Sequence, residues 1–497
     1  MRFLFYDIIF LIIFSLSLIV FLYKRRKNLK REGLLYLYRT RVGIKFINYI
    51  GKKYKKTLNV LGYFVIFGGY GLMIAMLYLL GQLVYVFAKF PEVVRAIKVP
   101  PLMPLIPYLP SVFKIEFLPP FYFTYWIVAI AIIAVSHEFS HGIFARLNNI
   151  KVKSTGFGFL GPFLAAFVEP DEKKMSKKKK FQQITVLSAG SFANLVMTIL
   201  FFVILYLFFI SMYTAAGAMF TTYTYSSFAI STISSIGGYE IKNSTSESIL
   251  NLIETKSNGL DKDIIINLDG DVRNLTKIET DNGTYFLDST RLKMQLNLTS
   301  EDVSKDNAEI VAYDNAPAIN AGLKGVITEF NDVKVKNNEE LSREIKKYSP
   351  GDKVIIKTRF NDTVLSYEIK LGESPYEKNR AFLGIGTRII EKSGVIGFLY
   401  NIFNLCRDPN TYYEPRFDSN LIIFIYNLLW WIIIINISVA LVNMLPVGIF
   451  DGGRVFFLTM FALTKNERLS KRLFSIATAI ILSVFLLLMI FWFFSFV

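Results

Sequence analysis

The order of apolar and polar positions divides this chain before any single residue is considered. Six stretches carry almost no charge: Phe3–Tyr23, Leu58–Phe87, Phe121–Ala145, Ile184–Tyr213, Leu421–Met444 and Leu473–Val497. Each approaches or exceeds the roughly twenty residues an α-helix needs to cross hydrocarbon. The pattern predicts an α-helical polytopic membrane protein with about six transmembrane helices. Phe3–Tyr23 is long for a cleaved signal peptide and reads as a retained anchor. Pro91–Pro120 is too rich in proline to form one regular helix. Gly156–Phe167 is apolar, punctuated by glycine and too short to span, so it predicts a re-entrant or interfacial strand pair. Val395–Phe403 is a short interfacial candidate.

The segment Ile236–Ile390 has another character. It is rich in Asn, Asp, Lys and Thr and alternates in runs such as Lys353-Val354-Ile355-Ile356-Lys357-Thr358. Alternation predicts strands, and Glu339–Tyr348 predicts one short helix. An inserted, mainly-β domain is expected there, long enough to bury its own core. The chain accordingly divides into 1–120, 121–235, 236–390 and 391–497, with two membrane parts flanking the polar domain. No internal repeat is evident.

Composition sharpens this reading. Hydrophobic residues make up 53% of the 497 positions, more than a soluble chain of this length carries. The net charge of +17 sits largely in clusters beside the apolar spans. These are Lys24–Arg31, Lys52–Lys56, Lys173–Lys180 and the group Arg454, Lys465, Arg468, Lys471 and Arg472. Six spans place all four on one side, which the positive-inside rule makes the cytoplasm. Both termini and the polar domain then lie outside. Clusters so placed contact the lipid bilayer, and no nucleic-acid partner is expected because no recognition module is present. The single cysteine, Cys406, excludes an intrachain disulfide and a cysteine-built metal site.

The chain holds only two histidines, and both fall in His137-Glu138-Phe139-Ser140-His141. On a helix, residues i and i+4 share a face, so both imidazoles can bind one metal ion. Glu138 beside them is placed to act as general base toward water at that metal. The motif lies in the otherwise apolar stretch Trp126–Phe144, where ionisable groups are costly and mark function. A catalytic zinc needs a third protein ligand. Without further histidine, it must be Asp or Glu. Glu169, Asp171 and Glu172 precede a basic run and read as solvated loop. Asp451 follows the apolar run Leu428–Phe450, on a segment broken by Pro446 and Gly448, and can share the depth of the histidines. Zinc follows from two His and a carboxylate, although cobalt or iron would accept the same ligands.

Taken together, these residues resemble the site-2 protease family of intramembrane zinc metalloproteases, in the form carrying a PDZ-type domain outside the membrane. His137-Glu138-x-x-His141 matches the family's first motif and Asn443-x-x-Pro446-x-x-x-x-Asp451-Gly452 its second. Gly190-Ser191-Phe192-Ala193-Asn194 resembles the family's Gly-Pro-x-x-Asn, with serine in place of proline. The resemblance implies Glu138 as catalytic base, His137, His141 and Asp451 as Zn²⁺ ligands, and Asn194 and Asn443 as contacts to substrate or transition state. Read from physics alone, either asparagine is equally a polar contact between helices. Ala316–Leu323 and Ser349–Val354 resemble a bacterial-type PDZ domain beginning near residue 308. Leu383-Gly384-Ile385-Gly386 would then receive a peptide ligand at its carboxylate. The resemblance implies cleavage of membrane-spanning protein substrates in regulated intramembrane proteolysis, with the active site toward the cytoplasm. The alternative is a membrane-anchored PDZ-type binding scaffold whose metal site is inactive.

Overall fold

The computed structural model describes residues 2–494 apart from 33–34, 92–99, 102, 114, 116–117, 161–162, 257–259, 261–262, 269–270, 300–308, 362, 388–400, 402–403, 405–406 and 418. The expected Val395–Phe403 interfacial segment and Cys406 therefore lie largely or wholly outside the described residues. The chain divides into two compact units, Met1–Phe208 with Ser419–Val497, and Phe209–Asp418.

The first unit contains helices α1 (Arg2–Lys24), α2 (Ile44–Lys53), α3 (Lys55–Lys89) and α4 (Phe123–Leu147). It continues with α5 (Lys180–Met212, whose last residues lie in the second unit), α9 (Asn420–Asn443), α10 (Asp451–Thr464) and α11 (Glu467–Phe494). Among the described residues, six of these are long and apolar enough to cross a membrane: α1, α3, α4, α5, α9 and α11. The described residues of the proline-rich connection include a short helical turn, Leu109–Val112.

The expected strand pair exists as β3 (Val152–Leu160) and β4 (Phe163–Pro170). Two further strands, β1 (Leu29–Glu32) and β2 (Leu35–Thr40), join them in a four-stranded sheet of order β1-β2-β3-β4. The basic residues Lys30, Arg31 and Arg39 thus lie on a β-hairpin. Helix α4 packs against α1, α2, α9 and β4.

One polar contact fixes α1 to α4. Asp7 is the only charged residue between Arg2 and Lys24, yet it is 2% exposed. Its carboxylate accepts the Phe123 and Thr124 backbone N–H groups at 2.8 and 2.9 Å, the Thr124 hydroxyl, and the Tyr108 hydroxyl at 2.5 Å. Residue Tyr122, at the N-cap of α4, supplies no side-chain cap of its own. Asp7 fills that role from another helix, satisfying donors that an apolar surrounding would otherwise leave unpaired. Burial, together with the neighbouring Asp7 carboxylate, raises the pKa of the Tyr108 phenol above its ordinary value.

The second unit is built on strands. In chain order they are β5 (Tyr213–Ala218), β6 (Thr222–Tyr223), β7 (Tyr225–Ala229), β8 (Ile233–Ile236), β9 (Tyr239–Glu240), β10 (Ile264–Leu268), β11 (Asp271–Thr280), β12 (Gly283–Leu287) and β13 (Glu309–Asp314). Beyond them come β14 (Val326–Phe330), β15 (Val333–Lys334), β16 (Lys353–Phe360), β17 (Thr363–Lys370), β18 (Gly372–Glu373), β19 (Ala381–Phe382), β20 (Ile385–Gly386) and β21 (Thr411–Pro415). Helices α6 (Ser246–Thr255), α7 (Ser289–Thr299) and α8 (Asn338–Ile345) accompany them, the last matching the expected short helix. The main sheets run β7-β13-β12-β11-β8-β9 and β17-β16-β14-β5-β21. Strands β5 and β21 lie outside 236–390, so the unit extends beyond both ends of the polar segment.

This unit does contain a repeat, contrary to the sequence reading. Strand β8 turns through Gly237-Gly238, both at positive φ, into β9, pairing Ile236 with Tyr239 and Ser235 with Glu240. Strand β14 turns through Asn331-Asp332, again both at positive φ, into β15, pairing Phe330 with Val333 and Glu329 with Lys334. Two consecutive left-handed residues define the tight turn favoured in two-residue hairpins, open to Gly and Asn. Ile241 N then donates to Ser234 O, as Val335 N does to Thr328 O, both at 2.9 Å. A side-chain N-cap follows, Thr245 for α6 and Asn337 for α8. Each copy ends in a hairpin of matching register: Leu268 opposite Asp271 and Ile264 opposite Leu275, then Phe360 opposite Thr363 and Ile356 opposite Tyr367. The copies differ in sheet order, since β8 pairs with β11 whereas β14 pairs with β16.

Candidate metal centre

Helix α4 brings His137 and His141 one turn apart on a single face, as the i, i+4 spacing requires. Helix α9 ends at Asn443, and Met444–Phe450 turn before α10 begins at Asp451. The break at Pro446 and Gly448 therefore puts Asp451 in the first turn of a new helix. Gly452 permits this fold-back: a Cβ there would lie 2.2 Å from the Met444 carbonyl oxygen.

These three side chains converge. His137 Nε2 and His141 Nε2 are 3.0 Å apart, and Asp451 Oδ2 lies 3.5 and 3.2 Å from them. Zinc bonds of about 2.0 Å at tetrahedral angles would set ligand atoms about 3.3 Å apart, so the three positions fit that ion. No other group of three or more His, Cys, Asp or Glu among the described residues is so arranged. The carboxylates set aside in the sequence are engaged elsewhere. Glu169 accepts from Ser154 and Arg39, a pairing that lowers its pKa through the Ser154 bond first, against partial burial. Asp171 caps Lys174 N, and Glu172 faces Arg454 at 3.4 Å.

Both imidazoles are held from behind. His141 Nδ1 donates to the Val186 carbonyl at 2.7 Å, leaving the Nε2 lone pair for a metal. His137 Nδ1 lies 3.1 Å from the side-chain amide of Asn194, a fully buried residue on α5. The Asn194 carbonyl oxygen has no other partner among the described residues. Turned toward the ring, it accepts the Nδ1 proton and frees His137 Nε2 in the same way. Asn194 thus contacts a ligand from behind, a position its sequence motif did not reveal. We expect Asn194→Ala to weaken zinc affinity by about 10–100-fold; competition titration with a chromophoric chelator measures it.

Gly190, part of the motif that ends in Asn194, lies against the two imidazoles. A Cβ there would stand 2.4 Å from His141 Nε2 and 2.6 Å from His137 Nε2. Only glycine lets α5 approach the two ligands so closely.

The Oε2 of Glu138 accepts the Val168 backbone N–H of β4 at 2.8 Å. In the sheet order, β3 is the only strand pairing with β4 among the described residues, which leaves β4 an edge strand beside Glu138. Asn443 is half-buried at the end of α9, and its side chain has no hydrogen-bond partner among the described residues.

Comparison with known proteins agrees with this geometry. A 185-residue stretch, 32% of this chain and 44% of its relative, is 26% identical to the zinc metalloprotease RasP of Shouchella clausii. Another of 71 residues, 14% of this chain and 19% of its relative, is 44% identical to an uncharacterized protein of Methanocaldococcus jannaschii. The chain thus spans less than half the length of these curated relatives. The model of peptidase family M50 matches residues 125–489, which takes in both histidines, Gly190, Asn194 and Asp451, and the chain belongs to that family.

Proposed function

We propose that this protein is an intramembrane zinc metalloendopeptidase that hydrolyses peptide bonds of membrane-spanning proteins. The observation that carries the proposal is the convergence of His137, His141 and Asp451 next to Glu138 on a helix long enough to cross a bilayer. Zinc held by the three residues supplies Lewis acidity, which acidifies water and polarises a carbonyl. Glu138 accepts the proton of the attacking water and returns it to the leaving nitrogen. Asn443 is placed in the role of a donor to the substrate backbone or transition state. Asn194 has its clearest role in fixing the His137 tautomer.

The edge of β4 suits the substrate. A helix hides its peptide bonds, so a spanning segment must unwind before cleavage, and an unwound strand needs partners for its backbone. Strand β4 offers an unpaired edge at the point where Val168 N–H meets Glu138, so an added strand would run past the base.

The basic clusters favour an active site toward the cytoplasm and an extracytoplasmic second unit. In that unit, the span from about residue 308 reads as the PDZ-like domain, with a groove that admits peptide. Cleavage after an earlier cut outside the membrane, as in regulated intramembrane proteolysis, is part of the same proposal.

The test is zinc content and cleavage measured together on the detergent-purified protein. We expect about one zinc per chain and cutting of bilayer-spanning model substrates, lost on chelation and restored by zinc. Bound zinc with no cleavage of any such substrate would favour the scaffold reading.

A further inference from the structure

Five Asn-x-Thr triplets, beginning at Asn243, Asn274, Asn282, Asn297 and Asn361, have no part in the chemistry above, and all lie in the second unit. Residues 209–418 hold 18 Asn, 17 Thr and 18 Ser. Random order of that composition gives about one or two Asn-x-Thr and as many Asn-x-Ser, yet there are five of the first and none of the second. The membrane unit has a single triplet of this class, Asn436-Ile437-Ser438, and its Asn436 is 0% exposed on the spanning helix α9. Asn-x-Thr is an acceptor for oligosaccharide transfer, which needs the asparagine outside the cytoplasm and at the surface.

All five asparagines of the second unit are exposed, and three stand where the backbone bends. The Asn243 carbonyl accepts the Thr245 N–H at 3.0 Å, folding that triplet into a tight turn ahead of α6. Asn282 lies in the turn from β11 to β12, where its N–H donates to the Thr280 hydroxyl at 3.2 Å. Asn361 follows β16 at positive φ, in the turn that leads into β17. Asn274 and Asn297 instead lie within β11 and α7, and Thr276, two residues after Asn274, is 1% exposed. A bend lets the amide and the threonine hydroxyl meet, whereas a strand or helix holds residues i and i+2 apart. Two of the bends share one end of a sheet. The Ser244 hydroxyl donates to the Ile233 carbonyl, and Asp281 N donates to the Thr232 carbonyl at 3.0 Å.

We propose that Asn243, Asn282 and Asn361 are N-glycosylated. The inference rests on the reading that puts the second unit outside the cytoplasm. In the transfer, the Asn Nδ2 bonds to the anomeric carbon of an oligosaccharide carried on a lipid phosphate. The bond from that carbon to the phosphate oxygen breaks, the carrier leaves as its phosphate anion, and the amide gives one proton to solvent. Glycans at Asn243 and Asn282 sheathe one end of the sheet, and the third covers the turn between β16 and β17.

The test is peptide and intact-mass spectrometry of the protein purified from the membranes of the cell that makes it. Sugar-bearing peptides are expected at all three bends, and Asn→Gln at each should remove one glycan from the intact mass. Thr284→Ala should strip Asn282 of its glycan and Thr284→Ser should keep it, because the acceptor needs the hydroxyl. A bare peptide at any of the three, sugar confined to Asn274 and Asn297, or a glycan on Asn282 that survives Thr284→Ala overturns the proposal. Topology is read separately, with Tyr376→Cys in a Cys406→Ser background, since Tyr376 is 78% exposed. A membrane-impermeant maleimide on intact cells should label it. Labelling without sugar sinks the glycosylation alone, and the absence of both takes the extracytoplasmic reading with it. The triple Asn→Gln variant should cleave a model substrate as the wild type does, which keeps this test apart from that of the protease reading.

Discussion

Glu138→Gln should abolish measurable cleavage while the protein keeps its fold and its zinc. General base catalysis contributes about 10²–10⁴-fold, so the residual rate should fall by at least the lower figure. Glutamine is nearly the same size, and its amide oxygen can still accept the Val168 N–H that Glu138 accepts now. The loss should therefore fall on turnover and not on metal content or on thermal unfolding in detergent. Single-turnover cleavage beside metal analysis separates the two. A variant that cuts at the wild-type rate would show that another group takes the proton.

Gly190→Ala should do to the metal what Glu138→Gln does to the proton. The added methyl would overlap His141 Nε2 and His137 Nε2, both far inside van der Waals contact. Either α5 moves outward or the imidazoles turn, and each response separates atoms that are now 3.0–3.5 Å apart. Overpacking of this kind costs about 1–3 kcal/mol in stability, and ligand displacement should lower zinc affinity at least tenfold. The control is Gly81→Ala in α3, where a Cβ meets nothing within 4 Å. There, helix propensity alone should stabilise by up to about 1 kcal/mol. If both variants bind zinc alike, the close approach of α5 is not what shapes the site.

What could be read from the sequence followed from signals that are local. Each spanning helix is one uninterrupted apolar run. The histidines are four residues apart, and Asp451 emerged because the chain offers so few other ligands. The rest depended on partners distant in the chain. Strands β1 and β2 went unread because Lys24–Arg31 was weighed only as charge beside a span, while the partner that orders β2, strand β3, lies more than 100 residues away. The repeat escaped notice because Gly237-Gly238 and Asn331-Asp332 meet one backbone demand with different residues. Asp7 was not singled out in the sequence, since the groups it binds lie more than 100 residues away. Gly190 showed its motif but not its contacts, which come from another helix.

The Asp7 contact has a consequence for biosynthesis. The first span enters the bilayer before Phe123 and Thr124 have been made, and a carboxylate left unpartnered in hydrocarbon costs up to about 3 kcal/mol. At about 5–20 residues per second the wait lasts on the order of ten seconds. During that interval the carboxylate lacks these donors, and emergence of α4 supplies them. One buried acid thus ties the first helix to the helix that carries the histidines.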